Sequence, residues 1–361
     1  MEVSELKYWL WWNRVPGIGP ARFFKLWHEY GSMQKAWQAP RAELSKLLSN
    51  KVLLERDKIS NNWDPEQELK KITQFGFRIC CHVEADYPSI LKQISDPPPI
   101  LYVAGNFEYG DDLAVAIIGT RNPTPQGAYT AKELAMGLSR QGITIVSGMA
   151  RGIDSESHRG ALGVQGRTIA VLGSGLDIIY PPENRRLMQE ITQNGAVISE
   201  FPLGTQPLAR NFPARNRIIS GLSLGVVVVE AAQDSGSLIT ANMALEQGRE
   251  VFAVPGSIGS EGSKGPHQLI RQGAKLVENC DDILNELAIP KLTQGEMTLS
   301  PPDLDEIEQK VFVVMSREAM HIDQIMRRSL LAPAQINAVL VQLELKGIVK
   351  RMPGQFYLRI K

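Results

Sequence analysis

Leu113-Ala-Val-Ala-Ile-Ile-Gly-Thr-Arg121 is followed by a helix-forming stretch over 126–140 and then by Ile143-Thr-Ile-Val-Ser-Gly-Met-Ala-Arg-Gly152. An apolar run ends in a glycine turn, a helical pattern intervenes, and a second apolar run ends in another small-residue turn. The rhythm continues, with strands predicted at 168–172, 196–198, 225–229 and 251–254 and helices at 154–162, 183–194, 217–222 and 238–247. Continuous Val/Ile runs joined by helices predict a parallel sheet covered on both faces. The expected core is therefore α/β and Rossmann-like.

Upstream, a helix is predicted at 64–75, a strand at 77–81 and another at 100–104, after Asp96-Pro-Pro-Pro99. All six tryptophans fall within residues 1–63, a composition shift that marks a small helical domain. Inside it, Val15-Pro-Gly-Ile-Gly-Pro20 followed by a helix over 21–30 has the form of a helix-hairpin-helix (SAM-like) turn. Such a turn can face a phosphate with backbone N–H groups, or serve packing alone. The α/β domain is expected over 64–289. Residues 290–302 are polar, carry prolines and lack helical periodicity, as a linker does. Over 303–361, helices at 304–316, 322–329 and 333–346 precede strands at 348–352 and 356–360, which predicts a C-terminal winged helix.

Lys plus Arg and Asp plus Glu number 39 each, so no global field draws the chain to a polyanion and any such site must be local. Cys80, Cys81 and Cys280 offer neither a CxxC nor a Cys/His ligand spacing, which argues against a disulfide framework or zinc site. No apolar run reaches the length of a membrane span, and a cytoplasmic protein without membrane contact is expected.

Ligands of parallel α/β sheets bind beyond the carboxyl ends of the strands. Those ends carry Gly119-Thr-Arg121, Ser147-Gly-Met-Ala-Arg-Gly152, Gly173-Ser-Gly175, Glu200-Phe-Pro202, Glu230 with Asp234-Ser-Gly-Ser237, and Pro255-Gly256. Small residues at successive strand ends describe a phosphate-lined crevice. Arg210-Asn-Phe-Pro-Ala-Arg-Asn-Arg217 adds three guanidinium groups and two amides, with no acid between Phe201 and Val229. Pro213 is expected to let a helix begin just after it, which places Arg215 and Arg217 in or beside the first turn. The competing reading is that these arginines make structural ion pairs. Phe212 beside them is a candidate stacking platform.

Catalytic apparatus is sparse. His158 stands at helical spacing from Asp154, as a local hydrogen-bond partner would, and no serine sits in a Gly-x-Ser-x-Gly elbow. Asp154, Asp177, Glu200 and Glu230 form no evident acid/base couple. Gly173-Ser-Gly175 lacks the third glycine of a dinucleotide fingerprint. The inventory favours binding over chemistry, with no catalytic residue, metal or cofactor expected.

Gly119-Thr-Arg121, Ser147-Gly-Met-Ala-Arg-Gly-Ile-Asp154 with His158, Gly173-Ser-Gly-Leu-Asp177, Tyr180-Pro-Pro-Glu-Asn184, Phe212-Pro-Ala-Arg-Asn-Arg217, Glu230, Ser235-Gly-Ser-Leu-Ile-Thr240 and Val254-Pro-Gly256 together resemble the DprA/Smf (DNA-processing protein A) family, in order through about 87–277. The resemblance implies a bacterial protein that binds single-stranded DNA and loads the RecA recombinase onto it, including strands coated with single-strand-binding protein. It further implies protection of DNA imported in natural transformation and a homodimer through the Rossmann-like domain. Its strand-binding pocket maps onto Arg121, onto Ser147, Gly148 and Arg151, onto Asn184 and Arg185, and onto Phe212, Arg215, Asn216 and Arg217. Gly119, Thr120, Arg210, Ser235, Gly236 and Ser237 join them from the strand-end loops and the arginine cluster. Where many relatives have lysine after Tyr-Pro, this chain has Pro182, with Arg185 and Arg186 the nearest bases.

An enzyme is the main alternative, because such domains also resemble the lysine-decarboxylase-like phosphoribohydrolases, which would make the chain a nucleotide or nucleoside-phosphate hydrolase. Their glycine-rich loop carries an adjacent catalytic glutamate. Here the comparable loop is Asp234-Ser-Gly-Ser-Leu-Ile-Thr240, and no acid follows until Glu246. A sequence-reading transcription factor is disfavoured because the third C-terminal helix has no arginine and a single lysine at its far end.

Overall fold

The computed structural model describes residues 3–290, 304–315, 320–329, 331–346, 348–352 and 355–359. Contacts divide the chain into two compact units, Met1–Lys291 and Leu292–Lys361.

The first unit is built on a nine-stranded sheet of β1 (Arg78–Cys81), β2 (Ile100–Gly105), β3 (Ala114–Ile118), β4 (Thr144–Ser147), β5 (Thr168–Val171), β6 (Gly195–Ser199), β7 (Gly225–Val228), β8 (Glu250–Ala253) and β9 (Lys275–Leu276), in the order β1-β2-β6-β5-β4-β3-β7-β8-β9. From β6 to β9 every pairing is parallel; β1 and β2 close the other edge antiparallel. All of these except the two-residue β9 were expected from the sequence, to within a residue or two.

Side chains alternate across the pleat and so feed two cores. Val115 and Ile117 of β3 join one face, while Ala114, Ala116 and Ile118 join the other. Thirteen helices surround this sheet: α1 (Val3–Arg14), α2 (Pro20–Tyr30), α3 (Met33–Gln38), α4 (Arg41–Leu44), α5 (Asn50–Asn62), α6 (Pro65–Gln74), α7 (Pro125–Arg140), α8 (Ile153–Gly163), α9 (Arg185–Gln193), α10 (Asn211–Gly221), α11 (Gly236–Glu246), α12 (Lys264–Arg271) and α13 (Cys280–Glu286). The first face is covered by α7, α8 and α13, and the opposite face by α10, α11 and α12. Chain order runs outward from β3 in one direction through β4, β5 and β6, then returns to the other side of β3 for β7. The carboxyl ends of β3 and β7 thus flank a topological switch point, where α/β sheets open a ligand crevice.

The tryptophan-rich helices share one core with the sheet. Trp9, Trp12, Phe23 and Leu26 belong to the same buried cluster as Tyr102 of β2, Val197 of β6 and Leu187 of α9. Trp12 donates through Nε1 to the Met33 carbonyl (3.2 Å). The hairpin before α2 is closed internally, with Ile18 N donating to Val15 O (3.0 Å) and Arg22 Nη1 to Gly17 O (2.6 Å). Among the described residues, no helix is long and apolar enough to cross a membrane.

The second unit contains α14 (Glu306–Val314), β10 (Met320–His321), α15 (Ile322–Ser329), α16 (Pro333–Leu345), β11 (Val349–Met352) and β12 (Phe356–Arg359). A three-stranded sheet, ordered β10-β12-β11, stands against three helices around Val311, Ile325, Ile336, Leu340 and Tyr357. This is a winged helix, with β10 as the strand that the sequence pattern was too short to reveal. Of the expected linker 290–302, residues 291–302 lie outside the described residues.

Candidate nucleic-acid interface

The α10 segment departs from its expectation. The helix begins at Asn211, not after Pro213, so Pro213 sits within the first turn. A proline is tolerated there because first-turn N–H groups have no intrahelical acceptor anyway. Asn211 holds the start in place by donating through Nδ2 to Gly173 O and Gln206 O (both 3.1 Å). The consequence is that Arg215 and Arg217 fall beyond the first turn and turn inward. Arg215 is 4% exposed and Arg217 8%.

Arg217 is a structural residue. Its guanidinium meets Glu200 (2.6 Å) and Asp96 (2.9 Å), the latter from the proline-rich stretch before β2. Burial pushes the Glu200 carboxyl up, against the pull of Arg217. Arg215 lies under the strand-end loops. Its Nη1 donates to Val171 O (2.7 Å), and a β-carbon at Gly148 would overlap that nitrogen. Burial lowers the Arg215 guanidinium to about 10, so it remains cationic at neutral pH. Asp154 faces it, 6% exposed, accepting from Gly148 N (3.2 Å) and Ala150 N (3.3 Å); burial raises this carboxyl while Arg215 and the two amides oppose the rise. The pair therefore shapes the 148–151 loop from below.

Above this floor lies Phe212, with Arg121 Cζ 5.4 Å and Arg215 Cζ 5.9 Å from its ring centroid. Tyr180 stands 5.8 Å from the same ring. Gly173 is required beneath it, because a β-carbon there would come within 2.9 Å of Phe212 Cδ1. On one side, Gly148, Arg151, Gly173, Tyr180 and Phe212 bound a small hollow. On the other opens a crevice of about 340 Å³ between the end of β3 and the start of α11, lined by Thr120, Arg121, Asp154, Phe212, Arg215, Asn216, Ser235, Gly236, Ser237 and Thr240.

Gly119-Thr-Arg121 is clamped from three sides. Thr120 N donates to Glu230 O (2.7 Å), Ile153 N donates to Thr120 O (3.2 Å), and the Glu230 carboxylate accepts from Thr124 N (2.9 Å) and Thr124 Oγ1 (2.5 Å). Arg121 itself is exposed. Ser147 donates to Ile117 O (2.7 Å) and is fully buried, and buried Asn184 donates to Met149 O (2.9 Å). Both position loops from beneath the surface. Arg151 is exposed and paired with Glu183. Arg185 and Arg210 are exposed but line neither hollow.

His158 does not partner Asp154. Its Nδ1 meets Thr168 Oγ1 (2.7 Å), whose hydroxyl donates to Ile145 O (2.7 Å), so Nδ1 is the protonated nitrogen. Burial lowers this histidine to about 3. Asp177 accepts from Gly204 N (2.9 Å). Together with Asp154, Glu200 and Glu230, it is engaged by backbone amides or arginine, each carboxylate serving to hold a loop or helix. Glu246 closes α11, about 15 Å along the helix from Gly236 at 1.5 Å per residue. Cys80, Glu84 and Asp86 bring three ligand-type atoms together, yet Asp86 is already engaged by Arg78 (2.5 Å).

The sequence located the loops but not the direction of the α10 arginines, nor Asp96 as a partner of Arg217. Tyr180 and Thr240 line the hollows and carry no distinguishing signal beyond the motifs that contain them.

A mostly parallel, Rossmann-like sheet with a crevice at its switch point, bordered by Arg121 and Phe212, defines the class of doubly wound α/β proteins. The family profile described as DNA recombination-mediator protein A matches residues 78–288, and that of the DprA winged helix domain matches residues 296–355. The chain belongs to the DprA/Smf family. It is 37% identical to Protein Smf of Synechocystis sp. over 99% of this chain and all of the relative. The X-ray structure of DNA processing protein A from Streptococcus pneumoniae superposes with a TM-score of 0.67 at 38% identity, covering 78% of this chain and 97% of that one. A Helicobacter pylori DNA processing protein A structure, titled for its single-stranded DNA binding mode, superposes with a TM-score of 0.54 at 33% identity, over 60% of this chain and 97% of that one.

Proposed function

We propose that this protein is a recombination mediator that binds single-stranded DNA in the crevice beside Phe212 and loads the RecA recombinase onto it, protecting DNA imported during transformation and working as a homodimer in the cytoplasm. The observation that carries the reading is the Phe212 ring, flanked by the Arg121 and Arg215 guanidiniums at the mouth of a crevice lined by strand-end loops. A base stacks on an aromatic face irrespective of its identity, while cations and helix-terminal N–H groups hold phosphates. The net charge of the chain is zero, so the attraction is local and the binding should be strongly salt-dependent.

Arg121 is the cation to test, because it is exposed whereas Arg215 is part of the floor. Fluorescence anisotropy with oligo(dT) and with matching duplex across a salt series should show single-strand preference in the wild type. Arg121→Ala should weaken binding and flatten the salt slope by about 0.7, the value for one phosphate contact on a single strand. Equal affinity and slope in the variant would remove this crevice from the interface. Recovery of RecA-driven strand exchange on strands coated with single-strand-binding protein tests the loading step.

A further inference from the structure

We infer that Asn216 is the residue by which the crevice selects unpaired bases, its side-chain amide clasping the Watson–Crick edge of a base stacked on Phe212. The inference rests on the single-strand reading above and names how that site refuses a duplex.

Phe212, Asn216 and Ile219 stand at i, i+4 and i+7 on α10, which is one helix face, and all three line the larger crevice. Asn216 is half-buried, and within the described residues its side-chain amide makes no hydrogen bond. Several of the neighbouring polar groups are engaged locally. Ser235 Oγ donates to Ser237 Oγ (3.2 Å), and Thr120 Oγ1 accepts from Asn122 N (3.3 Å). Asp154 and Arg215 are occupied with the loop amides and with Val171 O. Asn216 thus brings an uncommitted donor and acceptor, side by side, to the crevice that holds the stacking ring.

A primary amide has the pattern that any unpaired base can meet. Thymine offers N3–H with O4, guanine N1–H with O6, cytosine N4–H with N3, and adenine N6–H with N1; rotating the amide exchanges its oxygen and nitrogen and matches either order. Base identity is therefore not read, but the edge must be free. In a duplex that edge is consumed by pairing, and a paired base can offer the amide nothing.

The test uses the full chain and two probes, oligo(dT) and the same oligomer of N3-methylthymidine, which keeps the charge and the ring face but blocks the edge. Wild type should bind the methylated oligomer about tenfold more weakly, the worth of a lost hydrogen bond, with an unchanged salt slope. Asn216→Ala and Asn216→Ser should lose the discrimination between the two probes while retaining the wild-type slope. Wild type binding both probes equally would overturn the inference, and needs no variant to fold. Variants that still discriminate would overturn it as well. Absence of oligo(dT) binding by wild type would overturn the single-strand reading itself, and this inference with it.

Discussion

Gly148 and Arg215 cannot be altered independently. The guanidinium occupies the space into which a β-carbon at 148 would project, so Gly148→Ala should cost about 1–3 kcal/mol as an overpacked core does. Urea denaturation of the purified variant measures the loss, and an unchanged midpoint would show that the floor can shift. His158 makes a separate prediction. Its folded-state value near 3 lies below the ordinary 6.5, so between those values the unfolded chain binds a proton that the folded chain refuses. Its contribution is therefore complete above pH 6.5 and is lost as pH falls toward 3, by at most about 1.4 kcal/mol per pH unit. Asp154 and Glu200, whose carboxyls are raised by burial, push the opposite way, so the comparison to make is wild type against His158→Asn. The difference in stability between the two proteins should shrink steadily on acidification; a constant difference would mean that His158 does not titrate in this range.

At the scale of elements, α10 decides which arginines meet solvent. Arg217 ties it to Glu200 after β6 and to Asp96 before β2. Arg217→Met leaves Glu200 buried without its cation and should destabilise by about 3–5 kcal/mol, with the salt slope for single strands unchanged in whatever remains folded. A reduced slope would instead restore Arg217 to the interface. The strands and the glycine turns were legible because apolar runs and small residues act locally. The inward turn of Arg215 and Arg217 was not, because it depends on where the helix starts, and a proline within the first turn looks the same in sequence as one before it. Asp96 lies more than a hundred positions from Arg217, and nothing in its Pro-Pro-Pro context announces an ion pair. Glu230 was visible as an acid at a strand end; that it caps the start of α7 through Thr124 required the fold.

For the molecule as a whole, the two units have separate hydrophobic cores. Removing residues 292–361 should leave the thermal midpoint of the first unit and its affinity for oligo(dT) unchanged, as calorimetry and anisotropy would show; a lower affinity would assign the winged helix a share of the strand. Among its described residues α16 carries no arginine. The crowding of all six tryptophans into the first 63 residues has an optical consequence. All six lie in the first unit, and their emission originates in the same buried cluster as Tyr102 and Val197 of the sheet. Fluorescence should therefore report melting of the α/β body together with its N-terminal helices in a single step, giving the protein a built-in gauge of integrity.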